Sequence, residues 1–170
     1  MRKVAKFEKV SFDQFYSDCK EFLSGLTEKE IRDKYDSIIL PRRATIASAG
    51  YDFFTYSEFN LKPHETIKIP TGIRCKIDED YVLLIAPRSG LGFKYRLQLD
   101  NTIGVIDSDY YSANNQGHIF IKITNDSNFD KTLMVKENEA FAQGIFVQYG
   151  ITCDDQVETI RTGGLGSTSK

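Results

Sequence analysis

The chain has 170 residues, enough for one well-cored domain and short for two, so any site must be built inside one domain or between copies of it. A formal net charge of −2, from 22 basic and 24 acidic residues, lacks the broad basic footprint that nucleic acid or a membrane surface needs, and excludes both as main partners. Cys19, Cys75 and Cys153 are odd in number and scattered, and His64 and His118 are the sole histidines, so no disulfide frame, zinc site or histidine-based metal centre is expected. The start "MRKVAKFEKVSF" has no apolar core of signal-peptide type and no apolar run spans a bilayer, which reads as a cytoplasmic protein.

A first strand is expected near "RKVAKF". In "VSFDQFYSDCKEFLSGLTEKEIRDKYDSI", Phe12, Phe15, Tyr16, Cys19, Phe22 and Leu23 recur at helical threes and fours, a stripe that reads as a face packed on the domain. Ser11 can cap this helix and Gly25 reads as its stop, while Thr27 to Glu30 form a capping-box pattern that opens a second, shorter helix. From Ile38 onward the chain turns to short β-rich runs between turn residues: "TIKIP", "GIRCKI", "YVLLIAP", "LQLDNTIGVI", "GHIFIKITN", "KTLMVK" and "FAQGIFVQYG". This is the pattern of an all-β sandwich or barrel. "TIKIP" and "HIFIKIT" alternate as strands with one wet face, whereas "VLLIA" is apolar throughout and reads as buried on both. No βαβ alternation occurs, so a dinucleotide fold has no scaffold here. "RTGGLGSTSK" is too rich in Gly, Ser and Thr to pack as a strand and reads as a mobile tail.

Two stretches carry candidate chemistry. In "APRSGLGF" a strand ends at Pro87, and Arg88, Ser89 and Gly90 follow, so a guanidinium, a hydroxyl and backbone N–H groups can converge on one anion; the same residues also make an ordinary strand-ending turn. In "GVIDSDYY", Asp107 leaves an apolar strand end where a carboxylate can take a proton from water, and Asp109 reads as a turn former. On an extended backbone the rings of Tyr110 and Tyr111 would point to opposite sides, one toward a ligand and one into packing. The tail lacks the GK[ST] ending of a P-loop, yet its small residues and hydroxyls can fold over a polyphosphate.

Taken in order, "SAGYDFF", "APRSGLGF", "DNTIGVIDSDYY", "ENEAFAQGIF" and "RTGGLGST" make the chain resemble the trimeric dUTPases from about Ile38 to the C-terminus. The resemblance implies an all-β, β-clip (distorted jelly-roll-like) fold in a single domain over 1–170, with a two-helix N-terminal insertion at 11–37 and a flexible C-terminal arm at 161–170. It implies hydrolysis of dUTP to dUMP and pyrophosphate, which keeps uracil out of DNA and supplies dUMP for thymidylate synthesis. It also implies a homotrimer with sites at subunit interfaces and Mg²⁺ held through the substrate phosphates and water, with no direct protein ligand.

Residue by residue, Asp107 matches the carboxylate that activates the attacking water, and Tyr110 the ring that packs under the deoxyribose. Asn101 with Gly104, Val105 and Ile106 match the hairpin that reads uracil. Arg88, Ser89, Gly90 and Gln143 match the phosphate-holding residues, Gly166, Ser167 and Thr168 the arm over the γ end, and Arg161 a γ-phosphate clamp. Asp52 matches an acid that supports the site. The chain departs from the family at Leu165, where many relatives carry a stacking phenylalanine. Tyr95, in preference to Phe93, is the expected replacement lid for the base. Gly117 closes the third motif late, which predicts a lengthened hairpin tip, and Ala140 and Phe141 stand where a basic residue is usual. The two helices are expected on the outside of the trimer, away from the sites, so that their deletion would spare turnover.

Overall fold

The computed structural model describes residues 2–164, and in chain order its elements are β1 (Ala5–Lys9), α1 (Phe12–Asp18), α2 (Glu28–Ser37), β2 (Arg42–Arg43), β3 (Tyr51–Phe54), β4 (Phe59–Leu61), β5 (Thr66–Pro70) and β6 (Ile73–Ile77). There follow β7 (Tyr81–Pro87), α3 (Ser89–Tyr95), β8 (Leu97–Leu99), β9 (Gly104–Ile106), a 3-10 helix (Ser108–Ser112), β10 (Phe120–Asn125), β11 (Leu133–Val135) and β12 (Ala140–Gln148). All pairings are antiparallel. The largest sheet runs β2-β3-β12-β7-β9, and smaller ones run β5-β10-β8, β1-β6 and β11-β4. The short alternating runs of the sequence thus become an all-β frame.

Local chemistry sets the helix starts. Ser11 Oγ accepts from Gln14 N–H at 3.2 Å, and the Thr27–Glu30 capping box closes with both reciprocal bonds present. Their relative lengths reverse the expectation, because α1 ends at Asp18 after 7 residues while α2 runs for 10. Turns continue from α1 through Gly25, whose φ of +87° ends those turns rather than the helix. The stripe packs as expected: Phe15, Cys19 and Leu23 are buried with Ile31 and Ile38 of the second helical segment, in the same core as Phe53, Ile73 and Phe141 of the sheets. The helices therefore extend the central core.

β7 corrects the sequence reading. Leu83 and Ile85 are buried, but Val82, Leu84 and Ala86 on its other face are half-exposed. That face is covered only in part. The register sets Leu84 beside Val105 on one side and Ile145 on the other, giving an apolar row across three strands, with Val105 at 53% and Ile145 at 38% exposure.

The stretch after Pro87 also differs from a simple turn. Arg88 is extended, its carbonyl accepts from the N–H groups of Leu91 and Gly92, and α3 follows. No lengthened hairpin tip forms before Gly117. Instead, the 3-10 helix turns the chain directly after Asp107, and the loop folds back until Gly117, at φ +69°, lies against the backbone of Tyr110 and Tyr111. A Cβ at Gly117 would sit 2.7 Å from Tyr110 O, so the close return requires glycine.

Candidate functional site

The sequence-predicted residues gather into three groups. The first surrounds the 3-10 helix. Asp107 is the residue just beyond β9, with an exposed carboxylate, and Arg161 Nη1 reaches its Oδ2 at 3.1 Å and Asp109 Oδ1 at 2.9 Å. The same guanidinium lies 5.3 Å from the centroid of the Tyr110 ring. Burial works against the charge on Arg161, but the hydrogen bonds it donates to Asp109 and Asp107 outweigh it and raise its pKa. Asp109 thus serves a guanidinium rather than backbone groups. The arm is docked at its start, since Asn114 N–H donates to Thr162 O at 3.1 Å. Leu165, Gly166, Ser167 and Thr168 lie outside the described residues.

Tyr110 is buried. Its hydroxyl donates to His118 O at 2.7 Å and accepts from Asn115 Nδ2 at 2.8 Å, and burial pushes its pKa up. The neighbouring ring diverges as expected, although by way of a 3-10 turn rather than an extended backbone: Tyr111 O–H donates to Glu8 Oε2 at 2.6 Å, with Arg74 4.3 Å from its ring centroid. Sequence reasoning missed what lies behind Tyr110. His118 Nδ1 meets Asp18 Oδ2 of α1 at 2.6 Å, and Ser11 Oγ accepts from Gln116 Nε2 at 2.9 Å. The sequence alone sets the helices apart from the site, whereas α1 is pinned to residues 116–118, one contact from Tyr110. Asp18 stands beside the aromatic stripe, which was the available signal.

The second group lies at the end of the large sheet. Arg88 Nη1 donates to Asp52 Oδ2 at 2.6 Å, an ion pair with the carboxylate nearly covered. Gln143, opposite both Asp52 and Ala86, donates from Nε2 to Pro87 O at 3.2 Å. Ser89 and Gly90 are exposed at the start of α3. The support role read for Asp52 acquires an observed partner in Arg88.

The third group lines a cavity of about 240 Å³, where Asn101, Gly104, Val105 and Ile106 meet Asp100 and Lys122. The connection between β8 and β9 crosses from one sheet to another, turning through Thr102 at φ +67°. Asp100 ties it down with Lys122 at 2.8 Å and Thr124 at 2.6 Å. Burial opposes the charge on Asp100, but those two partners outweigh it and lower its pKa. Of the two candidate lids, Tyr95 packs against the core with Lys131 5.4 Å from its ring centroid, and Phe93 is 93% exposed.

These groups are spread along one strand. Ile106 pairs with Leu83, so Asp107 falls beside Val82, and Arg88, just past the far end of β7, lies six residues on, roughly 20 Å away at about 3.3 Å per residue. No hydrogen bond or ion pair among the described residues joins Asp107 to Arg88. Also among the described residues, no three His, Cys, Asp or Glu side chains gather as a metal site, and no helix is long and apolar enough to cross a membrane.

A strand-end carboxylate and a basic turn on an all-β frame suit the binding of an anionic, phosphate-bearing ligand. The dUTPase family profile matches residues 36–169. The deoxyuridine 5'-triphosphate nucleotidohydrolase of Lactococcus lactis subsp. lactis is 36% identical over 144 residues, 82% of this chain and 95% of that protein. That of Dictyoglomus turgidum is 38% identical over 138 residues, 76% and 89% of the two. Among solved structures, the dUTPase from Streptococcus mutans superposes with a TM-score of 0.62 at 29% identity, covering 86% of this chain and 97% of that one. The dUTPase from phage phi11 of S. aureus reaches 0.62 at 23% identity, covering 92% and 97%, and speaks for the fold alone. The chain belongs to the dUTPase family. Its activity is that of a dUTP diphosphatase, splitting dUTP into dUMP and pyrophosphate.

Proposed function

We propose that Asp107 is the general base of this hydrolysis, taking a proton from the water that attacks the α-phosphorus as the bond to the bridging oxygen breaks and pyrophosphate leaves. The observation that carries this is the position of Asp107, the first residue past a buried strand end, with an exposed carboxylate beside a fixed guanidinium. Tyr110 supports the deoxyribose and leaves no room for a 2′-hydroxyl. Asn101 and the backbone of Gly104, Val105 and Ile106 read the uracil edge. Cytosine would present reversed donors and acceptors there and leave buried groups unpaired. Arg88, aimed by Asp52, holds the phosphates with Ser89, Gly90 and Gln143. Gly166, Ser167 and Thr168 cover the γ end, where Arg161 would exchange its carboxylates for phosphate. Phe93, with its ring free, is the better candidate to cover the base, and Tyr95 the weaker.

A homotrimer with sites shared between subunits is part of this reading. Its support is the roughly 20 Å between the Asp107 and Arg88 ends of β7, taken at about 3.3 Å per residue, together with the partly exposed row of Leu84, Val105 and Ile145. Another subunit can bring the halves together and cover that row. Mg²⁺ is the proposed cofactor, and a related phage dUTPase has been described with a structural Mg(II) ion. Without a protein cage among the described residues, the triphosphate and water would supply the ligands, and the ion would neutralise phosphate charge. Three free thiols suit a reducing compartment, and the cytoplasm is the proposed setting.

Pyrophosphate release from dUTP, dCTP, dTTP and UTP with Mg²⁺ tests the whole scheme. Preference for dUTP, its loss with EDTA and its collapse in Asp107→Asn are expected; equal hydrolysis of all four nucleotides, or full activity in Asp107→Asn, would refute it.

A further inference from the structure

We propose that Asp18 and His118 are positioning residues for Tyr110, so that the N-terminal helical segment helps set discrimination against ribonucleotides. The inference rests on the assignment of Tyr110 to the sugar. His118 has no solvent exposure, and both of its ring nitrogens are engaged. Gly72 N–H donates to Nε2 at 2.8 Å, which leaves Nδ1 as the protonated nitrogen, donating to Asp18 Oδ2 at 2.6 Å. Gln14 Nε2 steadies the same carboxylate oxygen at 2.8 Å. The main-chain oxygen of His118 then receives the Tyr110 hydroxyl at 2.7 Å. An unbroken line of contacts thus runs from a carboxylate on α1 to the ring proposed to test the sugar.

This line is held firmly at one end. Gly72 sits at φ +72°, and a Cβ there would collide with Ile38 Cδ1 and press on Phe15, so the turn that grips Nε2 is enclosed by the helical segment. Without the Asp18 acceptor, a buried Nδ1–H would lack a partner, a state unfavourable enough to drive rearrangement. With Gly72 enclosed, the strain of the unpaired Nδ1–H falls on His118, and any shift of its carbonyl carries Tyr110 along. In this reading Tyr110 touches sugar and not the reacting phosphorus, so the shift should appear as relaxed sugar selection more than as lost turnover on dUTP.

The test is kcat/KM for dUTP and for UTP in Asp18→Ala, Asp18→Asn, Ile31→Ala and Tyr110→Ala. Asp18→Ala is expected to lower the dUTP:UTP ratio about tenfold, equivalent to about 1.4 kcal/mol of lost discrimination. Asp18→Asn, whose carboxamide oxygen can still accept from Nδ1–H, should stay within about twofold. Ile31→Ala truncates a buried side chain of α2 that takes no part in the hydrogen bonds of His118; it should lower the thermal midpoint and keep the ratio. An unchanged ratio in Asp18→Ala beside a lowered one in Tyr110→Ala overturns the positioning role and leaves the sugar assignment standing. An unchanged ratio in Tyr110→Ala overturns both. A drop in Ile31→Ala or Asp18→Asn equal to that in Asp18→Ala also overturns the positioning role, since general loosening or lost charge would then suffice. Should Asp18→Ala fail to fold, Asp18→Glu moves the carboxylate by one methylene and carries the same expectation at smaller size, with an unchanged ratio counting against it.

Discussion

Replacing Gly117 by alanine separates two costs that usually come together. At φ +69° an alanine occupies the left-handed region, at about 1–2 kcal/mol relative to glycine. Its Cβ would also lie 2.7 Å from both Tyr110 O and Tyr111 Cα, which are backbone atoms that cannot rotate away. Overpacking of that kind costs about 1–3 kcal/mol. Loss of glycine freedom in the unfolded chain returns about 0.4–1 kcal/mol, so the net is about 1–5 kcal/mol and centres near 3. At about 2–4 °C per kcal/mol for a chain of this size, thermal unfolding should move down by about 5–15 °C. Gly25→Ala provides the comparison: φ is +87°, but nothing lies within 4 Å of its Cβ, so only the conformational part remains, a net of at most about 1.6 kcal/mol, and the shift should stay below about 6 °C. Both variants should be scanned at one protein concentration, because subunit association would make the midpoint concentration-dependent. Equal midpoints for the two would refute the steric argument, as would a Gly117→Ala protein within about 2 °C of the parent.

Three further outcomes follow from named contacts. Asp52→Asn removes the charge that aims Arg88 and should raise KM for dUTP about tenfold, the order of one charge-assisted hydrogen bond, with a smaller change in kcat; an unaltered KM would count against the phosphate role of Arg88. The Lys6 hydrogen bond, then that of Tyr111, holds the Glu8 carboxyl at about 2 against an ordinary 4.5, so the unfolded chain takes up this proton first as pH falls. The stability contributed by Glu8 is present above pH 4.5 and lost toward pH 2; urea midpoints of Glu8→Gln should fall less over that window, and parallel acid limbs would sink the claim. Burial pushes the Cys19 thiol to about 11 and that of Cys75 to about 12, while Cys153 is exposed, so one thiol per native chain should react rapidly with a disulfide reagent at pH 8 and all three after unfolding. Two fast thiols in the native protein would contradict the burial.

The legible part of this protein is its local chemistry. Ser11 and the Thr27–Glu30 box start helices because a side chain and an amide three residues apart can satisfy each other without help from the fold. Alternation in "TIKIP" and "HIFIKIT" forecasts β5 and β10 for the same reason. What was hidden is set by distant contacts. "SGLGFKY" contains two glycines and has poor helix propensity, yet it forms α3 between Arg88 and a left-handed Arg96. The half-exposed face of β7 reflects sheet order, which a run of apolar letters does not specify. Motif order singled out Asp107, Tyr110 and Arg161, and gave no hint that Arg161 pairs with Asp107 and Asp109 from more than 50 residues away.

The attachment of the N-terminal segment also governs the timing of folding. β1 is paired by Ile73–Ile77, and α1 is tied to His118, 100 residues beyond Asp18. At about 5–20 residues per second of synthesis, Asp18 precedes its partner by roughly 5–20 s. Through that interval Phe12 and Phe15 have a helix to form but lack the completed sheets of the core it joins. Contacts of such long range slow folding and leave sticky surface exposed in the meantime, so the first forty residues are where a nascent chain would most need a chaperone.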